Sequence, residues 1–234
     1  MNKIRDNLQI IGAKIEQFSK QYKRPETSVS LLAVSKRHTI DKIKEAYESG
    51  QRSFGENYVQ ELLEKQEQLK NLDIEWHFIG PLQSNKAKKI AEATAWVHAV
   101  DRLKIAKRLS DNRPDDMLPL SICLQVNISE EESKSGINPD ELLTLALEVV
   151  KLPKIILRGL MVIPAPEQDI TKQREVFAKV STLKQNLQKQ LNENDFSIKL
   201  DTLSMGMSND IESAIAEGST IVRVGTAIFG QRES

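Results

Sequence analysis

Lys36 is the residue around which chemistry can gather. It follows an apolar run, Leu31-Leu32-Ala33-Val34, and the hydroxyl of Ser35. A run this short, bounded by polar residues, reads as a strand buried on both faces. An amine at the end of such a strand leans on apolar surroundings, and burial disfavours its charged form. A lysine that is neutral part of the time is a nucleophile suited to condense with an aldehyde as a Schiff base. Taken alone, a lysine past a strand end is an ordinary surface residue. Two stretches far downstream change the weighing. Met205-Gly206-Met207-Ser208 follows one apolar run and opens a helical pattern, and Gly225-Thr226 follows the next. Glycine lets backbone approach a ligand, N–H groups at a helix start face an anion, and Ser or Thr hydroxyls donate further hydrogen bonds. Two such turns together read as a phosphate cradle that includes Ser208, Gly225 and Thr226.

An aldehyde partner for Lys36 and a phosphate for the far side describe pyridoxal 5'-phosphate (PLP). Sugar phosphates, as in Schiff-base aldolases, fit the same two features. Arg223 discriminates between them. It lies two residues before Gly225 and on the same strand face. An arginine donates to an unprotonated pyridine nitrogen and does not favour the pyridinium. His77 alternates with Glu75 and Ile79 and can face an interior, where a structural histidine is as reasonable as a ligand contact. His38 and His98 offer no metal spacing with it.

The elements that would position these residues alternate along the chain. Ile4, Leu8, Ile11, Ile15, Phe18 and Tyr22 form one stripe of an N-terminal amphipathic helix. Strands follow at 31–36, 52–54, 75–79, 95–100, 120–127, 155–163, 200–204 and 220–224. Seven helical patterns separate them and a short turn at 226–230 ends the series. Thr39, Ser84, Asp101 and Asn138 stand where helix caps belong. The polar loop 128–137, with Ser133-Lys134-Ser135-Gly136, has the length of a functional loop. No Gly-x-Gly-x-x-Gly follows the first strand, which disfavours an open dinucleotide-binding sheet. Eight such units within 234 residues favour a single (β/α)₈ TIM barrel spanning 1–234, with an extra N-terminal helix. Its site would lie at the strand ends: Lys36, Asn57, Gly80, Asp101, Asn127, Pro164, 204–208 and 225–226.

Composition bounds the function. Lys plus Arg and Asp plus Glu both number 33, which argues against a general nucleic-acid or membrane-surface binder. The hydrophobic fraction is 39% and the charged fraction 28%, a globular balance. The single cysteine, Cys123, lies within an apolar run and reads as a core residue. No run is long enough to span a bilayer, and the first residues lack the layout of a signal peptide, so a cytoplasmic protein is expected.

Val34-Ser35-Lys36, Phe54-Gly55-Glu56-Asn57-Tyr58-Val59-Gln60, the stretch from Trp76-His77-Phe78-Ile79-Gly80-Pro81 to Lys86, Ser133-Lys134-Ser135-Gly136, Arg158-Gly159-Leu160-Met161, Leu203-Ser204-Met205-Gly206-Met207-Ser208 and Arg223-Val224-Gly225-Thr226-Ala227-Ile228-Phe229-Gly230 resemble the pyridoxal phosphate homeostasis protein family nearly end to end. The resemblance implies an α/β barrel similar to the N-terminal domain of alanine racemase, of the fold type III PLP-binding class. It implies PLP held as a Lys36 aldimine, with Asn57 on the cofactor and Arg223 at its ring nitrogen. Ser204, Ser208, Gly225 and Thr226 would serve its phosphate. It further implies a role in intracellular vitamin B6 balance, as carrier or buffer, without established turnover. PLP-dependent apoenzymes would be acceptors. Many members carry Lys-Pro where this chain has His38-Thr39, which removes a second amine and any secondary PLP attachment relying on it. The alternatives are a PLP-dependent amino-acid racemase and, behind it, a sugar-phosphate aldolase. Racemisation asks for a strong electron sink and acid–base groups on both faces of the substrate carbon. An arginine at the ring nitrogen weakens that sink. Relatives that racemise add a second domain and a partner subunit, so a monomer is expected.

Overall fold

A computed structural model of the protein describes residues 3–128 and 135–231. Helix α1 (Lys3–Gln21) precedes an alternation of strands and helices: β1 (Ser30–Val34), α2 (Ile40–Glu48), β2 (Ser53–Glu56), α3 (Val59–Gln68), β3 (Glu75–Phe78), α4 (Ala87–Ala93) and β4 (Trp96–Val100). It continues as α5 (Leu103–Asn112), β5 (Leu120–Gln125), α6 (Leu142–Val149), β6 (Ile155–Met161), α7 (Ile170–Glu193), β7 (Thr202–Ser204), α8 (Ile211–Ala216), β8 (Ile221–Val224) and α9 (Thr226–Phe229). The eight strands pair in sequence order, all parallel, and β8 pairs with β1 to close the barrel. The expected barrel and its N-terminal helix are both present.

The strands form because they are apolar on both faces. All six residues of β5 are buried, as parallel strands covered by helices require. Most of the core lies between sheet and helices, where Leu62, Phe78, Ile90, Ile122 and Phe177 pack on one side and Ile43, Phe54 and Val222 on the other. The barrel interior differs from the usual filling of branched apolar side chains. Small apolar groups, Leu32, Val34, Ile79 and Ile221 in one and Ala99, Cys123 and Met161 in another, share it with buried His77, His98, Ser204 and Arg223. Burial pushes the Cys123 thiol up to about 12, so it is a core group and not a thiolate.

Helix starts depart from the sequence expectation. Thr39 occupies the N-cap of α2 without a side-chain cap bond. Ser84 begins a 3₁₀ turn, Ser84–Lys86, ahead of α4, and Asn138 precedes the 3₁₀ turn Pro139–Glu141, ahead of α6. Neither side chain caps. Asp101 pairs with Arg102, the actual N-cap of α5. Asp169 does cap its helix, accepting from the Thr171 and Lys172 N–H groups at α7. The expected functional stretch Ser133-Lys134 lies outside the described residues. Among them no helix is long and apolar enough to cross a membrane.

Candidate functional site

Lys36 sits in a tight turn immediately beyond β1. The His38 N–H donates to the Ser35 carbonyl at 3.1 Å, and Arg37 takes φ +60°. A positive φ at the third position belongs to type II geometry, where glycine is usual. An arginine held there marks strain maintained by its surroundings, and those surroundings are visible. Lys65 Nζ on α3 donates to the Ser35 carbonyl at 2.7 Å, to Glu56 at 2.7 Å and to Glu61 at 2.6 Å. Glu61 accepts the Arg37 N–H, and the Ser35 hydroxyl donates to Glu56 at 2.6 Å. The Arg37 guanidinium lies 5.5 Å from the Tyr58 ring centroid. Burial raises the Glu56 carboxyl, and the Lys65 ammonium opposes the rise. Alternation explains the arrangement: Ser35 and Glu56 point outward to α3, while Leu32 and Val34 belong to the inward set, which the same alternation would continue to Lys36. The turn carrying Lys36 is therefore clamped from outside the barrel.

Register brings the other strand-end residues alongside. Val34 pairs with Gly55 and Ala33 with Val224. Continuing those ladders sets Lys36 level with Asn57 on one side and just past Gly225-Thr226 on the other. Asn57 Oδ1 is buried and makes no hydrogen bond among the described residues. A Cβ at Gly80 would collide with the Asn57 backbone, and one at Gly225 would sit 3.0 Å from the Val34 carbonyl. At Gly80 the rim thus closes too tightly for any side chain, and at Gly225 a side chain would require the Val34 carbonyl to shift. A cavity of about 640 Å³ opens beside Asn57, lined also by Tyr58, Lys86, Lys89, Arg102 and Ser135.

Arg223 lies inward and is 5% exposed. Its Nη1 donates to the Ser204 carbonyl and, at 2.9 Å, to Ser204 Oγ, and its Nη2 donates to the Val162 carbonyl at 2.8 Å. Nε carries no hydrogen bond among the described residues, so a donor remains. Burial lowers the guanidinium to about 10, which leaves it protonated at neutral pH.

The expected phosphate residues divide. Gly225 and Thr226 stand at the rim beside β1, Thr226 exposed. Ser208 is exposed in a turn, and α8 begins three residues later at Ile211. The Met207 N–H donates to the Asp210 carboxylate, so an acidic group that sequence reading passed over occupies part of this loop. Burial raises the Asp210 carboxyl, and its hydrogen bond from Met207 and the Arg223 charge oppose the rise. Ser204 lies deeper than expected: its Oγ is 2.7 Å from His98 Nδ1 and bonded to Arg223. Its hydroxyl is thus engaged by His98 and Arg223. No group of three metal-ligating side chains occurs among the described residues.

His77 and His98 have a stability consequence. Burial lowers the pKa of His77 against the pull of Glu75, and lowers that of His98 further, helped by His77 and Arg223. Both are neutral when folded, so the unfolded chain binds protons first as pH drops below about 6.5. The stabilisation from this pair is complete above that value and is lost as pH falls through the depressed folded values. With two protons separating the states, stability falls by up to about 2.7 kcal/mol per pH unit. Urea midpoints should therefore drop clearly between pH 7.5 and 5.5; equal midpoints would contradict neutral histidines.

Comparison with known proteins places this geometry. Residues 7–233 match the family described as alanine racemase, N-terminal domain. The chain is 50% identical over 232 residues to the pyridoxal phosphate homeostasis protein of Pasteurella multocida, covering 98% of both chains. It is 48% identical over 236 residues to that of Escherichia coli, covering 100% of this chain and 98% of the other. PipY of Synechococcus elongatus, solved with PLP bound, superposes with a TM-score of 0.86 at 38% identity, covering 97% of this chain and 100% of PipY. An alanine racemase of Clostridium difficile shares the fold at a TM-score of 0.75 and 15% identity, with 58% of its length matched. This chain belongs to the alanine racemase N-terminal domain family and, within it, to the pyridoxal phosphate homeostasis proteins.

Proposed function

We propose that this chain binds PLP covalently through the Lys36 amine and takes part in PLP homeostasis as a reversible, non-catalytic carrier. The observation that carries the reading is Arg223: a buried, protonated arginine with an uncommitted Nε–H, on the strand that pairs with the one presenting Lys36. The residues fit the cofactor. The orphaned Asn57 Oδ1 lies level with Lys36, and Gly225-Thr226 closes the rim from the other side. Bound PLP supplies an aldehyde for the amine and an electron sink. Arg223 would donate to the ring nitrogen and favour its unprotonated form, which would weaken that sink. The Ser35–His38 turn presents the amine, while Ser208, Gly225 and Thr226 serve the phosphate. Ser204 acts by holding Arg223. PipY has been solved both with PLP bound and without it, which suits reversible loading.

The test is the spectrum of the purified protein incubated with PLP. A visible absorbance band that disappears on adding an acceptor apoenzyme, with gain of that enzyme's activity, is the expected result. Steady racemisation of alanine or serine by the pure protein would replace the carrier by a racemase. Cleavage of a sugar phosphate without any chromophore would replace it by an aldolase.

A further inference from the structure

A chain of polar side chains crosses the barrel interior from its N-terminal face to Arg223. Glu75 Oε1 is 2.8 Å from His77 Nε2, His77 Nδ1 is 2.9 Å from His98 Nε2, and His98 Nδ1 is 2.7 Å from Ser204 Oγ. Ser204 Oγ in turn accepts from Arg223 Nη1 at 2.9 Å. His77, His98, Ser204 and Arg223 are buried, whereas the Glu75 side chain is 48% exposed. Trp96 stacks on His77 with ring centroids 5.6 Å apart and planes 3° from parallel, and Arg158 lies 4.8 Å above the Trp96 ring. That stack shields the chain from water at its outer end.

The donors can be ordered in only one direction. An ionised carboxylate accepts and never donates, so His77 must carry its proton on Nε2. Being neutral, it leaves Nδ1 as an acceptor, and His98 must then donate from Nε2. His98 is neutral too, so its Nδ1 accepts and the Ser204 hydroxyl is obliged to donate to it. Ser204 Oγ then faces Arg223 with lone pairs only. Glu75 excludes the opposite ordering, in which both imidazoles carry the proton on Nδ1 and the Ser204 hydroxyl proton, which the donor-only Arg223 cannot accept, is left without a partner in the chain.

We propose that Glu75, His77, His98 and Ser204 form a one-way hydrogen-bond relay that turns the Ser204 lone pairs to Arg223 and anchors the guanidinium in place beside the ligand site, so that a carboxylate on the opposite face of the barrel controls the mouth. These are positioning residues. The effect on PLP rests on the proposed ligand; the direction of the relay does not.

Two readouts separate these claims. In ligand-free, ¹⁵N-labelled protein, two-bond ¹H–¹⁵N spectra at neutral pH should show His77 and His98 both as Nε2–H tautomers. Glu75→Leu should introduce Nδ1–H forms at both, while Glu75→Gln, whose carbonyl still accepts, should retain Nε2–H. With PLP, Glu75→Leu should shift the absorbance maximum and weaken retention about threefold to tenfold, the worth of one net hydrogen bond. Ser53→Ala, which removes another partner of Glu75 at 3.1 Å and leaves the Glu75–His77 bond, should behave as wild type. An Nδ1–H tautomer at either histidine of the wild type overturns the relay. Tautomers that change in Glu75→Leu while the PLP spectrum and retention stay fixed overturn its control of the mouth. Wild-type protein that shows the Nε2–H tautomers but takes up no PLP removes the ligand and supports the relay's direction.

Discussion

Lys36→Ala should abolish the visible absorbance band and lower PLP retention by roughly a hundredfold or more, equivalent to about 3 kcal/mol. The size follows from what is removed. Without the amine no covalent link forms, and the ligand is left with hydrogen bonds to Asn57, Arg223 and the 225–226 turn. Stability should change little. Lys36 is only partly buried and lies beyond the last ladder residue of β1, so its side chain is not part of the sheet. Backbone bonds hold the turn itself, from the His38 N–H to Ser35 and from the Ser35 N–H to the Gly55 carbonyl at 3.0 Å. Thermal unfolding of the ligand-free variant checks this, with a midpoint within a few degrees of wild type. A retained absorbance band in Lys36→Ala would move the attachment to another amine. An unfolded variant would show that the lysine supports the fold and would make its loss of PLP uninformative.

The barrel was legible because strands such as 31–34, 120–125 and 221–224 announce themselves as short, largely apolar runs and the crossovers carry helical stripes. The placement of Lys36 and Asn57 just past strand ends and of Arg223 within the last strand was legible for a related reason: strand ends and two-residue alternation are local properties. What escaped reading depends on distance along the chain. Ser204 meets His98 across 106 residues, and Lys65 meets the Ser35 carbonyl across 30. Nothing in either segment declares its partner. His98 invited a search for metal ligands, and the absence of a metal spacing left it without a role. Its inward position beside His77 on the next strand was the available signal. Helix starts failed for another reason. A Ser, Thr or Asp near a helix start has several competing uses, and here Asp101 turned to Arg102 while Asp210 took the Met207 N–H near which Ser208 was expected to act.

The interior of this barrel is polar where most are filled by Val, Ile and Leu, and that choice has a structural price set by hydrogen bonding. Each polar group there must find a partner or destabilise the fold. The described residues meet the demand with a directional chain under Arg223 and, outside the strands, with the ionic cluster under Lys36. The two devices serve opposite sides of the proposed ligand. One fixes the donor at the ring; the other fixes the turn that offers the amine.

Lys65→Met isolates the second device and should be the most destabilising substitution outside the glycines. Lys65 and Glu56 are both buried, at 5% and 0% exposure, and Glu56 Oε2 already makes no hydrogen bond among the described residues. Removing the ammonium leaves a buried carboxylate with only the Ser35 hydroxyl for company. Stranding one member of a buried ion pair costs about 3–5 kcal/mol. For a chain of this size that corresponds to a fall of roughly 6–20 °C in Tm. The double variant Glu56→Leu/Lys65→Met should recover much of the loss, because an apolar pair can replace a buried ionic one. PLP retention should not recover with it. The Ser35 carbonyl still lacks its Lys65 donor, and Glu61 loses the ammonium that holds it against the Arg37 N–H. Arg37 is then free to leave φ +60° for an ordinary conformation, taking Lys36 with it. Recovery of stability without recovery of PLP binding would separate the clamp from the fold, whereas recovery of both would show that the cluster serves stability alone.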